Sequence, residues 1–178
     1  PLHRRSGARM SMFRVLCVDD DPVLRETLTA VLENSHRGYK VTPAASLKDA
    51  LECLVTEAFD CVLLDLGLPN STAERTYQAV ADVDPDIAVV VITGALDEGR
   101  SRALLRARAQ DYITKPNQGG NRELCDRIYH AIIRVENLMD LKEQVEFCNA
   151  TVQRANRRAL IMWALVIVVG LFLRSWKV

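Results

Sequence analysis

Short runs of consecutive apolar residues alternate along this chain with stretches in which apolar residues recur every three or four positions. Residues 13–18 (FRVLCV) read as a strand and run into Asp19-Asp20-Asp21-Pro22, where proline suits a first helical turn and the acids suit a helix N-terminus. Leu24, Leu28, Val31 and Leu32 then follow at helical spacing until Asn34 and Gly38 stop the pattern. Residues 39–43 predict a short edge strand, because Pro43 is tolerated there. Ser46, with Asp49 three residues on, caps a helix whose apolar face is Leu47, Ala50, Leu51 and Leu54. Cys61 to Leu64 form a continuous apolar run into Asp65, with Gly67 and Pro69 at once behind it, the pattern of a buried strand in a parallel sheet. A helix over residues 71–83 ends before Pro85, and a second buried strand over 87–92 ends at Thr93-Gly94-Ala95. An Arg- and Ala-rich helix over 98–108 and a fifth strand over 111–114 follow, ending at Lys115-Pro116. Strands and helices alternating in this way predict an α/β domain with a doubly wound, five-stranded parallel sheet.

The last helix, from Arg122, does not stop where such a domain should. Apolar or small residues continue at Leu138, Leu141, Val145, Cys148, Val152, Ala155 and Ala159, spaced by threes and fours as in a heptad seam with one stammer at Leu138 to Leu141. No Pro or Gly interrupts Arg122 to Val169, and Glu143, Glu146 and Arg154 lie off the seam. A parallel homodimeric coiled coil is expected. Residues 159–173 then carry no charge, flanked by Arg157, Arg158, Arg174 and Lys177, with Trp176 suited to an interface. This predicts a short membrane anchor, with the basic flank holding the N-terminal domain on the cytoplasmic side. Other readings of the block are an interfacial segment or an oligomer core. The expected organisation is a disordered leader over 1–11, the α/β core over 12–121, its last helix continuing as coiled coil over 122–158, and the anchor over 159–178.

Composition narrows the picture only a little. Lys+Arg 23 balances Asp+Glu 23, so net charge gives no footprint for nucleic acid. The five cysteines form no C-x-x-C pair and no metal spacing with the three histidines, and they read as reduced structural thiols. The first stretch has arginines but no apolar core, unlike a signal peptide. Because the chain opens on Pro1, a fragment or processed product is expected, with Met10 or Met12 as a start.

The candidate chemistry lies at the strand ends. In a doubly wound sheet Asp19 and Asp20, Asp65, Thr93 and Lys115 all come to one rim. Converging carboxylates repel, and an oxygen-seeking divalent cation such as Mg²⁺ would relieve that. Asp65 could then act as nucleophile toward a phosphoryl group, with a hydroxyl from Thr93 and a positive charge from Lys115 on the phosphoryl oxygens.

The motifs VDDDP, LLDLGLP, VVITG and QDYITKP resemble the receiver domain of two-component response regulators, over about Met12 to Val135. That resemblance implies a flavodoxin-like fold, Asp65 as phosphoacceptor and Mg²⁺ held by Asp19, Asp20, Asp65 and the Gly67 carbonyl. It also implies Thr93 and Lys115 as phosphoryl contacts, a cis Lys115–Pro116 bond and Tyr112 as an aromatic switch coupled to Thr93. The phosphoryl donor would be a sensor histidine kinase or a phosphotransfer protein. The sequence departs from the family pattern in lacking Gly over 69–73 and in carrying Arg108 before the fifth strand. Small residues at Gly67 and Ala95 leave the acyl phosphate open to water, so fast autodephosphorylation is expected. The reading is a membrane-tethered phosphorylation switch that is a regulatory phosphoacceptor, not a turnover enzyme, with no DNA-binding output. Its rivals are a membrane-anchored docking scaffold and the front part of a larger sensor protein. A phosphohydrolase ranks behind these, since the position two residues after Asp65, where a general acid would stand, is Gly67.

Overall fold

The computed structural model describes residues 12–69, 71–93, 111–114 and 121–175. Five parallel strands form one sheet in the order β2-β1-β3-β4-β5: β1 Phe13–Val18, β2 Tyr39–Ala44, β3 Cys61–Asp65, β4 Ala88–Thr93 and β5 Asp111–Thr114. The helices are α1 Pro22–Glu33, α2 Leu47–Thr56, α3 Ala73–Val83 and α4 Asn121–Ser175. The helix expected over 98–108 lies outside the described residues.

Local chemistry sets the boundaries. Asp21 caps α1 by accepting from the Val23 and Leu24 amides, and Pro22 follows at the first helical position, where its missing N–H costs nothing. Ser46 caps α2 through the Asp49 amide. α3 starts at Ala73, not residue 71, because Thr72 takes the capping role through the Arg75 amide, while the Thr76 hydroxyl bonds Ser71. β4 begins one residue later than the apolar run, since the Ile87 amide is turned back to the Asp84 carbonyl at 3.3 Å. β2 is an edge strand and carries Pro43, as its pattern predicts.

β3 is the most enclosed element, with all five of its residues buried. Val62 and Leu64 meet Leu16, Val18, Val89 and Val91 in one apolar cluster that α2 and α3 cover through Ala50, Leu54, Tyr77 and Val80. Val15, Leu28, Leu32, Leu63, Leu124 and Ile128 are also fully buried. Gly38, at φ +69°, makes the turn from α1 into β2, a conformation that costs a side-chain-bearing residue about 1 kcal/mol.

The chain divides into two compact units, Pro1–Glu136 and Asn137–Val178. In the first, α4 buries Leu124, Cys125, Ile128, Ala131, Ile132 and Val135. The Tyr39 hydroxyl donates to the Cys125 carbonyl at 2.7 Å, and the Arg37 guanidinium bonds Asp126 through Nε at 3.0 Å and Nη2 at 2.6 Å. The same guanidinium lies 4.1 Å from the Tyr129 ring centroid. In the second unit the helix continues through the apolar block to Ser175 without a break.

Among the described residues no helix is long and apolar enough to cross a membrane. Those residues include only part of the anchor expected over 159–178. The side chains of residues 166 and 168–175 lie outside the description.

Candidate functional site

The sheet order reverses direction around β1 and β3, the place where doubly wound sheets open a crevice beyond their C-terminal strand ends. Register brings the acids to that crevice. Val18 pairs with Leu64, so Asp19 and Asp65, the next residue of each strand path, reach the rim side by side. Oxygen atoms of Asp19, Asp20 and Asp65 all lie within 4.8 Å of one another. Asp19 is 1% and Asp65 4% exposed, while Asp20 is open to solvent.

Their surroundings orient them. The Asp21 amide donates to Asp19 Oδ1 at 2.8 Å, and Arg25 Nη1 donates to the Asp19 carbonyl at 2.5 Å, tying the start of α1 to the loop after β1. The Gly67 amide donates to Asp65 Oδ1 at 3.0 Å. A Cβ at Gly67 would stand 3.3 Å from Asp65 Oδ2, closer than side chains normally approach, so glycine keeps that face of the carboxylate clear. Just below the rim, burial and the Asp19 charge push the Cys17 thiol up to about 12, which keeps it neutral beside the acids.

Thr93 closes β4, one residue beyond the Asp65–Ile92 pair, and pairs with Thr114 of β5. The residue after Thr114 is Lys115, which with Pro116 and Ala95 lies outside the described residues. Tyr112 sits in β5 opposite Val91. The backbone thus carries Thr93 to the rim of Asp65, and the side chains of Thr93 and Tyr112 are outside the description.

Three hard oxygen donors at such spacing suit Mg²⁺, which is held by one or two carboxylates plus carbonyl and water oxygens. Arg25 escaped the sequence reading. Its signal was weak, a single cation one turn into α1. Arg37, Asp126 and Tyr129, which fasten α4 to the turn before β2, were also missed, because no local pattern links positions 89 apart.

The family model for the response regulator receiver domain matches residues 15–129. The chain is 36% identical over 129 residues to the transcriptional regulatory protein AruR of Pseudomonas aeruginosa, covering 70% of this chain and 51% of that protein. It is 32% identical over 108 residues to the sensor histidine kinase GacS of Pseudomonas protegens, covering 58% of this chain and 12% of that protein. It spans about half or less of the length of these curated relatives. The crystal structure of a CheY-like response regulator receiver domain protein from Methanospirillum hungatei JF-1 superposes with a TM-score of 0.63 at 28% identity, covering 71% of this chain and 98% of that one.

Proposed function

The chain belongs to the response regulator receiver domain family, and from that footing we propose that it is a phosphorylation switch whose phosphoacceptor is Asp65. The observation that carries the reading is the convergence of the Asp19, Asp20 and Asp65 carboxylates within 4.8 Å at the sheet's reversal point. The donor is a sensor histidine kinase or phosphotransfer protein, or a small acyl phosphate in its place. An Asp65 oxygen forms a bond to phosphorus while the bond from phosphorus to the donor's imidazole nitrogen or acyl oxygen breaks, leaving an acyl phosphate on Asp65. Asp19, Asp20, Asp65 and the Gly67 carbonyl would hold Mg²⁺, which when bound neutralises charge on the carboxylates and the phosphoryl oxygens.

The chain's own residues do the rest. The Gly67 amide orients Asp65 by its bond to Oδ1. Burial of Asp19 and Asp65 lowers the local dielectric, so each charge interaction there is stronger than in water. Thr93 donates its hydroxyl to a phosphoryl oxygen and Lys115 sets a positive charge beside it. Tyr112, on the strand next to Thr93, is the switch residue that responds. The open face beside Gly67 admits water, which favours short-lived phosphorylation. The role is regulatory, as a phosphoacceptor. A homodimer formed through α4 is the proposed partner arrangement, and no nucleic-acid contact belongs to this reading, given the balance of 23 basic and 23 acidic residues.

The test is labelling of the purified chain with acetyl phosphate and Mg²⁺, read by intact mass. The expected result is one added phosphoryl group, absent with a chelator and absent in Asp65→Asn. Labelling that persists in Asp65→Asn, or that ignores divalent cation, overturns the assignment.

A further inference from the structure

The second unit of the chain carries an apolar seam that nothing in its own helix covers. Leu138, Leu141, Val145 and Val152 are 50–57% exposed, whereas Leu124, Ile128, Ala131 and Val135 of the same helix are buried in the first unit. The change falls where the spacing shows its stammer and where the two units meet in sequence, between Glu136 and Asn137. A helix of this length gains most of its stability from packing of an apolar face, and a free seam of leucine and valine leaves that contribution unused.

We propose that residues 138–159 of α4 pair with the same residues of a second copy as a parallel, in-register, two-stranded coiled coil. This deepens the functional reading by naming the partner and its geometry, but it needs no phosphoryl chemistry. Three features select a second copy. Leu138, Val145, Val152 and Ala159 fall at the first seam position of successive heptads and Leu141, Cys148 and Ala155 at the fourth. Val145 and Val152 supply β-branched residues at the first position and Leu141 a leucine at the fourth, the combination that favours two parallel strands. In that register Asn137, Gln144 and Thr151 face Lys142, Asn149 and Asn156 of the other copy, so no like charges meet across the seam. The outward positions carry Glu136, Asp140, Glu143 and Glu146 and then Arg154 and Arg157, all exposed, which suits water on the outer face.

The parallel register sets Cys148 against Cys148 of the second copy. Cys148 is exposed, Cys17, Cys61 and Cys125 are buried, and Cys53 is half-buried, so a cross-link at the seam has a clear origin. Each Cys148 thiol would lose one electron and its proton to an added oxidant, copper-phenanthroline with dioxygen, as the sulfur–sulfur bond forms.

The test oxidises the full chain and reads it on a non-reducing gel, with sedimentation giving the mass of the unoxidised protein. The expected result is a mass of two 19.9 kDa chains and a disulfide dimer. That dimer persists in Cys53→Ser and is lost in Cys148→Ser. It is also lost in Val145→Glu/Val152→Glu, which keeps Cys148 and must still show its helical signal. A monomer overturns the proposal, as does a mass of three or more chains. So does a cross-link through Cys53, or one indifferent to the seam charges, which would mean association through residues 159–173. Failure of Asp65 labelling with this cross-link intact would count against the functional reading alone.

Discussion

Replacing Asp65 by Asn should stabilise the metal-free protein. Asp65 oxygens lie within 4.8 Å of oxygens on both Asp19 and Asp20. At an effective dielectric of about 20, two unit charges at that separation repel by about 3.5 kcal/mol. Asp20 is solvent-exposed, so its share is screened to a fraction of that. Arg25, bonded to the Asp19 carbonyl, offsets part of the Asp19 term, and Lys115, which the functional reading sets at the same rim, offsets part of the Asp65 term. Asn keeps an oxygen to accept from the Gly67 amide, so that bond survives the change. The net gain left after these offsets is about 1 kcal/mol, or roughly 2–4 °C in Tm for a unit of this size. Thermal unfolding in chelator, followed by circular dichroism, reads it directly. Added Mg²⁺ should then raise the Tm of the unaltered chain by more than that of Asp65→Asn, because binding to the folded state stabilises by mass action and the variant binds less tightly. A Tm in chelator that falls on substitution would refute the reasoning, since the cluster could not then be held together against its own repulsion.

Tyr39→Phe removes the hydroxyl that donates to the Cys125 carbonyl and should lower stability by about 1 kcal/mol, measured by urea unfolding with an unchanged m-value. The Arg37 hydrogen bond holds the Asp126 carboxyl below its ordinary value, so this pair's contribution is present above the usual carboxylate range and is lost as acid takes the pH down through the depressed value. Arg37→Ala should therefore lower Tm at neutral pH and flatten its acid-side fall, as scanning calorimetry across pH would show. For Cys17 the sign is opposite. Its thiol is raised to about 12 from an ordinary value of 9.0, so its contribution is full below 9.0 and drains away as pH climbs toward 12. Iodoacetamide at mildly alkaline pH should accordingly label Cys148 well ahead of Cys17 in the folded chain, with mass mapping of peptides as the readout.

The strand ends were legible because each is a local event, a hydrophobic run stopped by a polar residue. Asp65 after Cys61–Leu64 and the acids before Pro22 needed no knowledge of the fold to be noticed. The parallel register, which sets Val18 opposite Leu64, then did the work of bringing Asp19 to Asp65. What failed to show were the long-range ties. Arg37 and Asp126 sit 89 positions apart, and neither belongs to a pattern that announces a partner. The starts of α3 and β4 moved by one or two residues for reasons of single hydrogen bonds, the Thr72 cap and the Ile87 turn, which composition cannot rank. The membrane anchor expected over 159–178 rests on a stretch whose side chains lie largely outside the described residues.

The acid cluster and the core beneath it belong to one physical design. Converging carboxylates oppose folding, so they must stand on a segment that cannot yield. β3 meets that need: its residues from Cys61 to Leu64 are fully buried and hydrogen-bonded on both sides, to β1 and β4. Relaxing the Asp65 backbone away from Asp19 would break two ladders and expose Leu63 and Leu64, at about 1.5–3 kcal/mol per side chain uncovered. That exceeds what the repulsion could recover. The carboxylate is therefore held at the rim beside Asp19 and Asp20. Gly67 leaves the approach clear, because a methyl group there would already press on Oδ2 at 3.3 Å. Repulsion without relaxation makes the site an acceptor of positive charge, which a loop aspartate free to swing into water would not be.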